Sequence, residues 1–275
     1  MKNMESKTRY LPHTGVDPTG LRTVYICLLI FLSCAFGLFI RADNRLRAEL
    51  FDRLNSGVEE VFNQNGVSTR TALLPELLPR GTVFTRNRDA ETALAARLIG
   101  ASEAVDVGGG ILRSENSVGT VETRSDGAFE ISLPHYNSGG QRSLLDCAEE
   151  LLDDMGFVSD VNGLNAKYAE TDGRTLSFAV RLNDLPIFNL GIIFDFGVRE
   201  GVRITGSYPL GYSSPGSAAL YPNSQTALMT FLRNIEAGGA LVRELRELRG
   251  GFNYADSTLT PAWEVVADTI SVVIS

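Results

Sequence analysis

The chain of 275 residues has few side chains suited to catalysis or to transition-metal binding. Its histidines are His13 and His135, and its cysteines are Cys27, Cys34 and Cys147. Because Cys27 and Cys34 lie in one apolar segment, the rest of the chain holds a single cysteine and cannot form an internal disulfide. These numbers exclude a multi-histidine zinc site outside that segment. His135 alone is available for a Ser-His-acid triad, and its predicted loop position indicates an ordinary solvated residue.

Two glycine-containing segments begin like ligand-binding loops but lack the residues that such loops need. Residues 107–110 (Val-Gly-Gly-Gly) are not followed by the Lys-Ser/Thr of a phosphate loop, so they predict a bulge or kink in a strand. Residues 160–163 (Asp-Val-Asn-Gly) resemble the start of a calcium loop, but Leu164 stands where an oxygen ligand is required. Asp195 alternates with apolar residues and is expected on the solvent side of its strand. The sequence therefore predicts no enzyme activity, no cofactor and no metal site.

Residues 23–40 form one uncharged, apolar segment between Arg22 and Arg41. Eighteen helical residues span about 27 Å, close to the thickness of the hydrocarbon layer of a bilayer. A cleaved signal peptide needs small residues at the end of its apolar core, whereas residues 38–40 (Leu-Phe-Ile) continue the run. A lipoprotein anchor at Cys34 is disfavoured for the same reason, because the apolar run continues past this cysteine. The segment is predicted to be a retained transmembrane helix.

One side of this helix carries small or polarisable residues. Cys27 and Cys34 are seven positions apart and therefore lie on nearly the same side. Together with Gly37 they form a possible contact face for another membrane helix, since small residues allow close approach. Ordinary exposure to lipid is the alternative.

The basic residues flank the apolar segment on both sides, so the positive-inside rule barely distinguishes the two orientations. A short leader before a first apolar helix favours residues 1–22 as a cytoplasmic tail and the body outside the cytoplasm. Only four of the 25 basic and two of the 33 acidic residues precede residue 41, so the remainder carries a net charge of −10. This charge argues against nucleic-acid binding and against tight contact with anionic lipid.

Residues 41–81 are predicted to contain a juxtamembrane helix and a linker with Pro75 and Pro79. The helix has an apolar stripe and ends near Asn65 and Gly66. The stripe consists of Leu46, Leu50, Phe51, Leu54, Val58, Val61 and Phe62. We expect it to pack on its own domain, with a partner helix as the alternative.

Three helix-strand-strand units are predicted after the linker, at 82–136, 141–210 and 222–275, the second with extra strands. The predicted N-terminal caps of the three helices are Asp89, Ser143 and Ser224. The predicted strands lie near 104–114, 119–133, 157–171, 176–182, 190–196, 201–208, 239–254 and 261–274. Helices packed on one face of antiparallel sheets make the predicted fold α+β. Whether the units share one sheet stays open.

The last strand contains the motif on which a family resemblance depends. Residues 259–266 (Leu-Thr-Pro-Ala-Trp-Glu-Val-Val), with Pro261 and Trp263, resemble the closing strand of PepSY-like domains. Residues 182–188, followed by an apolar strand, are similar to the short turn between two core strands of that family. The whole frame resembles the YycH/YycI-type regulators of Gram-positive bacteria, which have a cytoplasmic tail, one membrane helix and repeated PepSY-like units. The resemblance implies a non-catalytic protein that restrains a sensor histidine kinase.

Three functions therefore compete. The first is a membrane-anchored interaction protein whose partner is a membrane or envelope protein, with a sensor histidine kinase as the example that the resemblance implies. The second is a structural or assembly component of the cell envelope. The third is an extracytoplasmic hydrolase with paired carboxylates, because the chain is rich in Asp and Glu. No small-molecule ligand is indicated.

Overall fold

The computed structural model describes residues 18–69, 81–137, 142–158, 163–197, 201–216 and 222–275. The chain divides into two compact units between Leu54 and Asn55. The described part of the first unit is a single helix. The second unit contains the end of that helix and a large sheet covered by further helices. The α+β class is therefore confirmed.

Helix α1 extends from Pro18 to Gln64 without interruption. At 1.5 Å per residue its 47 residues measure about 70 Å. Its apolar part is long enough to cross a membrane, and none of the most apolar window is buried in the protein. The membrane-helix prediction is confirmed to this extent. The helix begins at Pro18, within the predicted tail, and the predicted membrane segment and juxtamembrane helix are parts of this one continuous element.

The remaining helices and strands lie in the second unit. The helices are α2 (Arg88–Ile99), α3 (Leu144–Met155) and α4 (Ser224–Gly238). The first strands are β1 (Ser68–Thr69), β2 (Thr82–Arg86), β3 (Ala104–Gly108), β4 (Ile111–Glu115), β5 (Thr120–Arg124), β6 (Ala128–Leu133) and β7 (Leu164–Asp172). The others are β8 (Thr175–Leu182), β9 (Leu185–Asp195), β10 (Val202–Ser207), β11 (Gly211–Pro215), β12 (Glu244–Ala255), β13 (Thr258–Ala267) and β14 (Ser271–Ile274).

All of these strands belong to one mixed sheet, whose main order is β11-β2-β13-β12-β9-β10-β6-β5-β4-β3. The β7–β8 hairpin joins it through β9, β14 pairs with β13, and β1 pairs with β12. The β12–β9 and β1–β12 pairs are parallel, and the other pairs are antiparallel. Four strands follow α2 and five follow α3 within the described residues, so the structure does not reproduce the predicted helix-strand-strand repeat.

Glycine explains one of these differences. Gly108, Gly109 and Gly110 all have positive φ, a conformation that glycine adopts without steric cost. The chain therefore reverses direction there, and the predicted strand at 104–114 is the hairpin of β3 and β4. The predicted kink is a turn, with a register shift between Asp106 and Gly108 beside it. A further strand, β11, lies between the predicted strand at 201–208 and α4, where no strand was predicted.

The helix caps are set by side chains close to the predicted ones. Asn87, not Asp89, caps α2, because its side-chain oxygen accepts from the backbone N–H groups of residues 89 and 90. Asn223, not Ser224, caps α4 in the same way. Ser143 caps α3 as predicted, and the left-handed Gly156 ends that helix.

The buried side chains form two hydrophobic clusters. The larger lies between α2, α3 and the sheet, and the smaller lies under α4 and the end of α1. Phe62 is fully buried in the smaller cluster beside Val58, which confirms that the last part of the α1 stripe packs on its own domain. Leu46, Leu50 and Leu54 of the same stripe are 51 to 57% exposed.

Candidate functional site

The predicted membrane contact face lies on the exposed part of α1. Cys27 and Cys34 are exposed, and no atom lies within 4 Å of the position that a Cβ on Gly37 would occupy. At 100° per residue the three residues fall within about 80° of the helix circumference. Their role as a contact face stays a prediction.

A second exposed face of α1 consists of Leu46, Leu50 and Leu54. Successive leucines are four residues apart and therefore only about 40° apart around the helix. Leu50 lies about 160° from Cys34 by the same geometry. The leucine face and the cysteine face are consequently on opposite sides of α1.

Pro261 of the family-like motif lies where β13 changes its neighbour. On this edge β2 pairs with β13 only as far as Leu259, and β14 pairs with it from Trp263 onward. Among the described strands, residues 260–262 have no partner on this edge. A proline has no N–H to donate to a neighbouring strand, and this gap tolerates it. The proline therefore fits a structural position.

Trp263, the other residue of the motif, is 2% exposed and belongs to the smaller cluster. Its indole Nε1 donates to the carbonyl oxygen of Pro222 at 2.9 Å, immediately before the cap of α4. Trp263 is therefore a core residue, and its buried indole N–H has the acceptor that it needs. Trp263 thus fixes the start of α4 to the sheet.

A buried carboxylate occupies the first turn of α2. Glu91 is 3% exposed and accepts two hydrogen bonds from Arg86, from Nε at 2.6 Å and from Nη2 at 2.7 Å. The hydroxyl of Thr123 donates a third, at 2.8 Å. The hydrogen bond to Glu91 raises the pKa of Arg86, opposed by desolvation. Since the carboxylate is already paired, it is not available as a free acid or base.

This cluster was not predicted from the sequence, although the sequence contains a signal for it. Glu91 lies three and four residues before Leu94 and Ala95, on the face of α2 that packs on the sheet. A charged residue on such a face needs a partner, because an unpaired buried charge is costly. Asn87 caps the helix directly after β2, which brings Arg86 within reach of that carboxylate.

A polar depression lies where two strands meet on one edge of β9. The pair Phe252–Ile187 joins β12 to β9, and the pair Gly206–Ile192 joins β10 to it. The two strands end head to head there and leave a space of about 470 Å³, which we call the notch. The notch is lined by Ser125, Asp126, Asn189, Leu190, Ser207, Tyr254, Ala255, Asp256 and Ser257.

Asn189 lines the notch, and its side chain binds the backbone of Tyr254. Its Nδ2 donates to the carbonyl oxygen of Tyr254 at 2.6 Å, and its Oδ1 accepts from the Tyr254 backbone N–H at 2.8 Å. A cavity of about 20 Å³, roughly one water molecule in size, lies next to the notch beside the Arg86–Glu91 pair. The two spaces share three lining residues, which are Ser125, Tyr254 and Ser257.

Two hairpin turns carry the acidic residues of the notch. Asp126 lies between β5 and β6, and its Oδ1 accepts from the N–H of Ala128 at 3.0 Å. Asp256 and Ser257 join β12 to β13, with φ of 49° and 61°. Within the described residues, neither aspartate forms a salt bridge. Burial raises the pKa of Tyr254, and the charge of Asp126 adds to this effect.

Several predicted or excluded sites can now be located. His135 is exposed after β6, and Asp195 lies at the end of β9, where it accepts from the N–H of Gly197 at 2.7 Å. His13 and most of the calcium-like segment 160–163 lie outside the described residues. In the described part of the chain, no three His, Cys, Asp or Glu side chains are grouped to hold a metal ion.

Comparisons with known proteins give little further information. No protein-family model matches the chain, and no curated protein sequence matches it. Among solved structures, the C-terminal domain of YpeB from Bacillus megaterium is similar at 12% sequence identity and a TM-score of 0.33. The match covers 69% of this chain and 91% of that domain.

Proposed function

We propose that this protein is a non-catalytic, single-pass membrane protein whose extracytoplasmic body binds a protein partner. The observation that carries the proposal is the exposed apolar part of α1, where Phe31 and Phe39 are 71% and 70% exposed. Such a surface is unfavourable in water and suits the hydrocarbon of a bilayer.

The described side chains support a binding role more than a catalytic one. Glu91, the buried carboxylate of α2, is saturated by hydrogen bonds from Arg86 and Thr123. His135, the one histidine outside the leader, is exposed on a turn. A binding protein needs surfaces instead, and the notch and the two faces of α1 supply them.

The resemblance of residues 259–266 to PepSY-like strands supports a sensor histidine kinase as the partner. In this proposal α1 contacts the membrane helices of the kinase, and the body contacts its sensory domain. The regulatory effect follows from holding the kinase in one of its two signalling states, since a bound protein shifts an equilibrium only by preferring one state.

The test is an affinity purification from membranes with the full-length chain and with a shorter chain that starts at Arg41. We expect the full-length chain to enrich a membrane protein with a sensory domain, and the shorter chain to recover much less of it. An unrelated single-pass protein with the same tag is the control. Recovery of only envelope-assembly proteins, also through crosslinks at Cys27 or Cys34, would support the structural alternative and contradict the proposal.

A separate experiment, cysteine labelling in intact cells, tests on which side of the membrane the body lies. Ser132 is exposed on the body, so a cysteine at this position should react with a membrane-impermeant maleimide in intact cells. Cys27 and Cys34 are replaced by serine in this experiment, and Cys147 is buried. Labelling only after the cells are lysed would place the body in the cytoplasm and contradict the proposed topology.

A further inference from the structure

We propose that the notch receives a lysine or arginine side chain of the protein partner. This inference rests on the proposed function and names the contact surface and the chemistry of the partner. It follows from the charge of the notch, from its shape and from the rigidity of its walls.

The notch carries two acidic residues, and neither of them forms a salt bridge within the described residues. Asp126 and Asp256 stand at the tips of two different hairpins, and both are exposed. The half-buried guanidinium of Arg86 in the neighbouring cavity attracts Asp126, but its hydrogen bonds go to Glu91, at 2.6 and 2.7 Å. Arg124 lines the neighbouring small cavity and not the notch. A cation from outside would therefore complete the site.

The walls of the notch suit the stem as well as the head of a basic side chain. The half-buried ring of Tyr254 supplies apolar surface at the wall of the notch and packs edge-on against Phe84 at 6.5 Å between ring centroids. Lysine and arginine place their methylene groups along such apolar surface while the charged head stays near water. The hydroxyl groups of Ser207 and Ser257 add acceptors for N–H donors.

The shape of the notch favours a side chain of a protein over a free small molecule. A small-molecule site buries most of its ligand, whereas the notch is open where β12 and β10 end. A side chain that is held by contacts elsewhere in an interface does not need such enclosure. The space of about 470 Å³ accommodates one long side chain with room for water.

The walls are also held in place before binding. Asn189 binds both backbone polar groups of Tyr254, at 2.6 and 2.8 Å. The carbonyl oxygen of Ser257 accepts from the N–H of Phe84 at 2.8 Å, which fixes the turn that carries Asp256. Little ordering is needed when a partner arrives, and such preorganisation favours binding.

The test compares two double variants of the full-length chain in lipid nanodiscs. Asp126→Asn with Asp256→Asn removes the two charges of the notch. Asparagine keeps the acceptor for Ala128 and tolerates the left-handed conformation at position 256, so the fold is retained. The matched control, Glu170→Gln with Asp172→Asn, removes two exposed charges from the far end of β7.

The probe is a fluorescein-labelled peptide with two arginines, measured by fluorescence anisotropy at physiological salt. A second peptide replaces both arginines by citrulline, which has the same shape and no charge. We expect the notch variant to bind the arginine peptide about five- to tenfold more weakly than the wild type, and the control variant to stay within about twofold. Equal losses in both variants, or equal binding of the citrulline peptide, would overturn the inference.

The same variants separate this inference from the proposed function. If the wild type enriches no membrane partner, the proposed function fails. If it enriches one, and the notch variant recovers as much of it as the wild type does, the partner binds elsewhere and only the notch inference fails. Recovery that falls with the notch variant and not with the control variant supports both.

Discussion

Asn189 acts as a strand partner for Tyr254, with its side chain in the place of a backbone. The side-chain amide of Asn189 donates to the carbonyl of Tyr254 and accepts from its N–H, at 2.6 and 2.8 Å. It thereby continues the pairing of β12 with β9 beyond the pair Phe252–Ile187. On the side of β9, this side chain holds the end of β12, whose other edge is paired with β13.

Replacing Asn189 by alanine should lower the free energy of unfolding by about 1–2 kcal/mol, because two hydrogen bonds are lost at a partly solvated site. Trp263 is the only tryptophan of the chain, so its fluorescence during urea unfolding gives the measurement. Asn253→Ala is the control, since the Asn253 side chain has no hydrogen bond among the described residues. Similar losses for both variants would argue against the role of Asn189.

Glu91→Ala should be among the most destabilising substitutions in the body. It leaves the guanidinium of Arg86 and the hydroxyl of Thr123 without their acceptor, at an expected cost of about 3–5 kcal/mol in unfolding free energy. Glu130→Ala removes the exposed pair with Arg203 and should cost less than about 1 kcal/mol. A similar result for the two variants in urea would show that the Glu91 cluster contributes little.

Two apolar residues of α1 should respond differently to the same substitution. Phe62 is fully buried in the smaller cluster, so Phe62→Ala should cost about 3–5 kcal/mol. Leu54 is 56% exposed, and Leu54→Ala should change the unfolding free energy by less than about 0.5 kcal/mol. A large loss for Leu54 in detergent solution would instead indicate that the leucine face is covered.

The stability of the body should fall at high pH partly because of Tyr136. Burial, and then the neighbouring Cys147 thiol, raises the pKa of this phenol to about 12 from its ordinary value of 10.0. The folded protein holds the proton more tightly than the unfolded chain, so this contribution is present below pH 10 and is lost as the pH rises through 12. Urea unfolding between pH 9 and about 12 measures it. Tyr136→Phe should flatten this part of the profile, and an unchanged profile would contradict the assignment.

The contact face on α1 predicts a difference between two isoleucine substitutions within the membrane segment. Gly37→Ile adds bulk beside Cys34 and should lower recovery of the partner several-fold, because close helix approach requires small residues. Ala35→Ile adds bulk about 160° from Gly37 and about 80° from Cys27, outside the contact face, and should not lower recovery. The two variants are compared in the same membrane purification. Equal recovery would exclude the cysteine face as the contact.

The strongly periodic parts of the fold could be predicted from the sequence. The alternation of Leu176, Phe178, Val180 and Leu182 gave β8, and the apolar face of α3 with Ser143 and Gly156 gave that helix with its ends. Local patterns of this kind depend on neighbours in the chain. They therefore identify elements without knowledge of the tertiary contacts.

The sheet junction could not be predicted, because it depends on pairings between distant residues. Nothing near Asn189 in the sequence indicates that its amide binds the backbone of a residue 65 positions later. The notch has the same origin, since its lining comes from four separate segments of the chain. Glu91 is the intermediate case, because its position on an apolar helix face was visible and its partners were not.

The opposite placement of the cysteine and leucine faces limits how α1 meets its surroundings. A straight helix that lies along Cys27 and Cys34 passes on the far side from Leu46, Leu50 and Leu54. One neighbour of that kind leaves the leucines uncovered. To cover both the cysteine face and the leucine face, α1 needs either two neighbouring helices or one neighbour that crosses from one side of α1 to the other. An assembly in which two helices pack against each copy of α1 covers both faces.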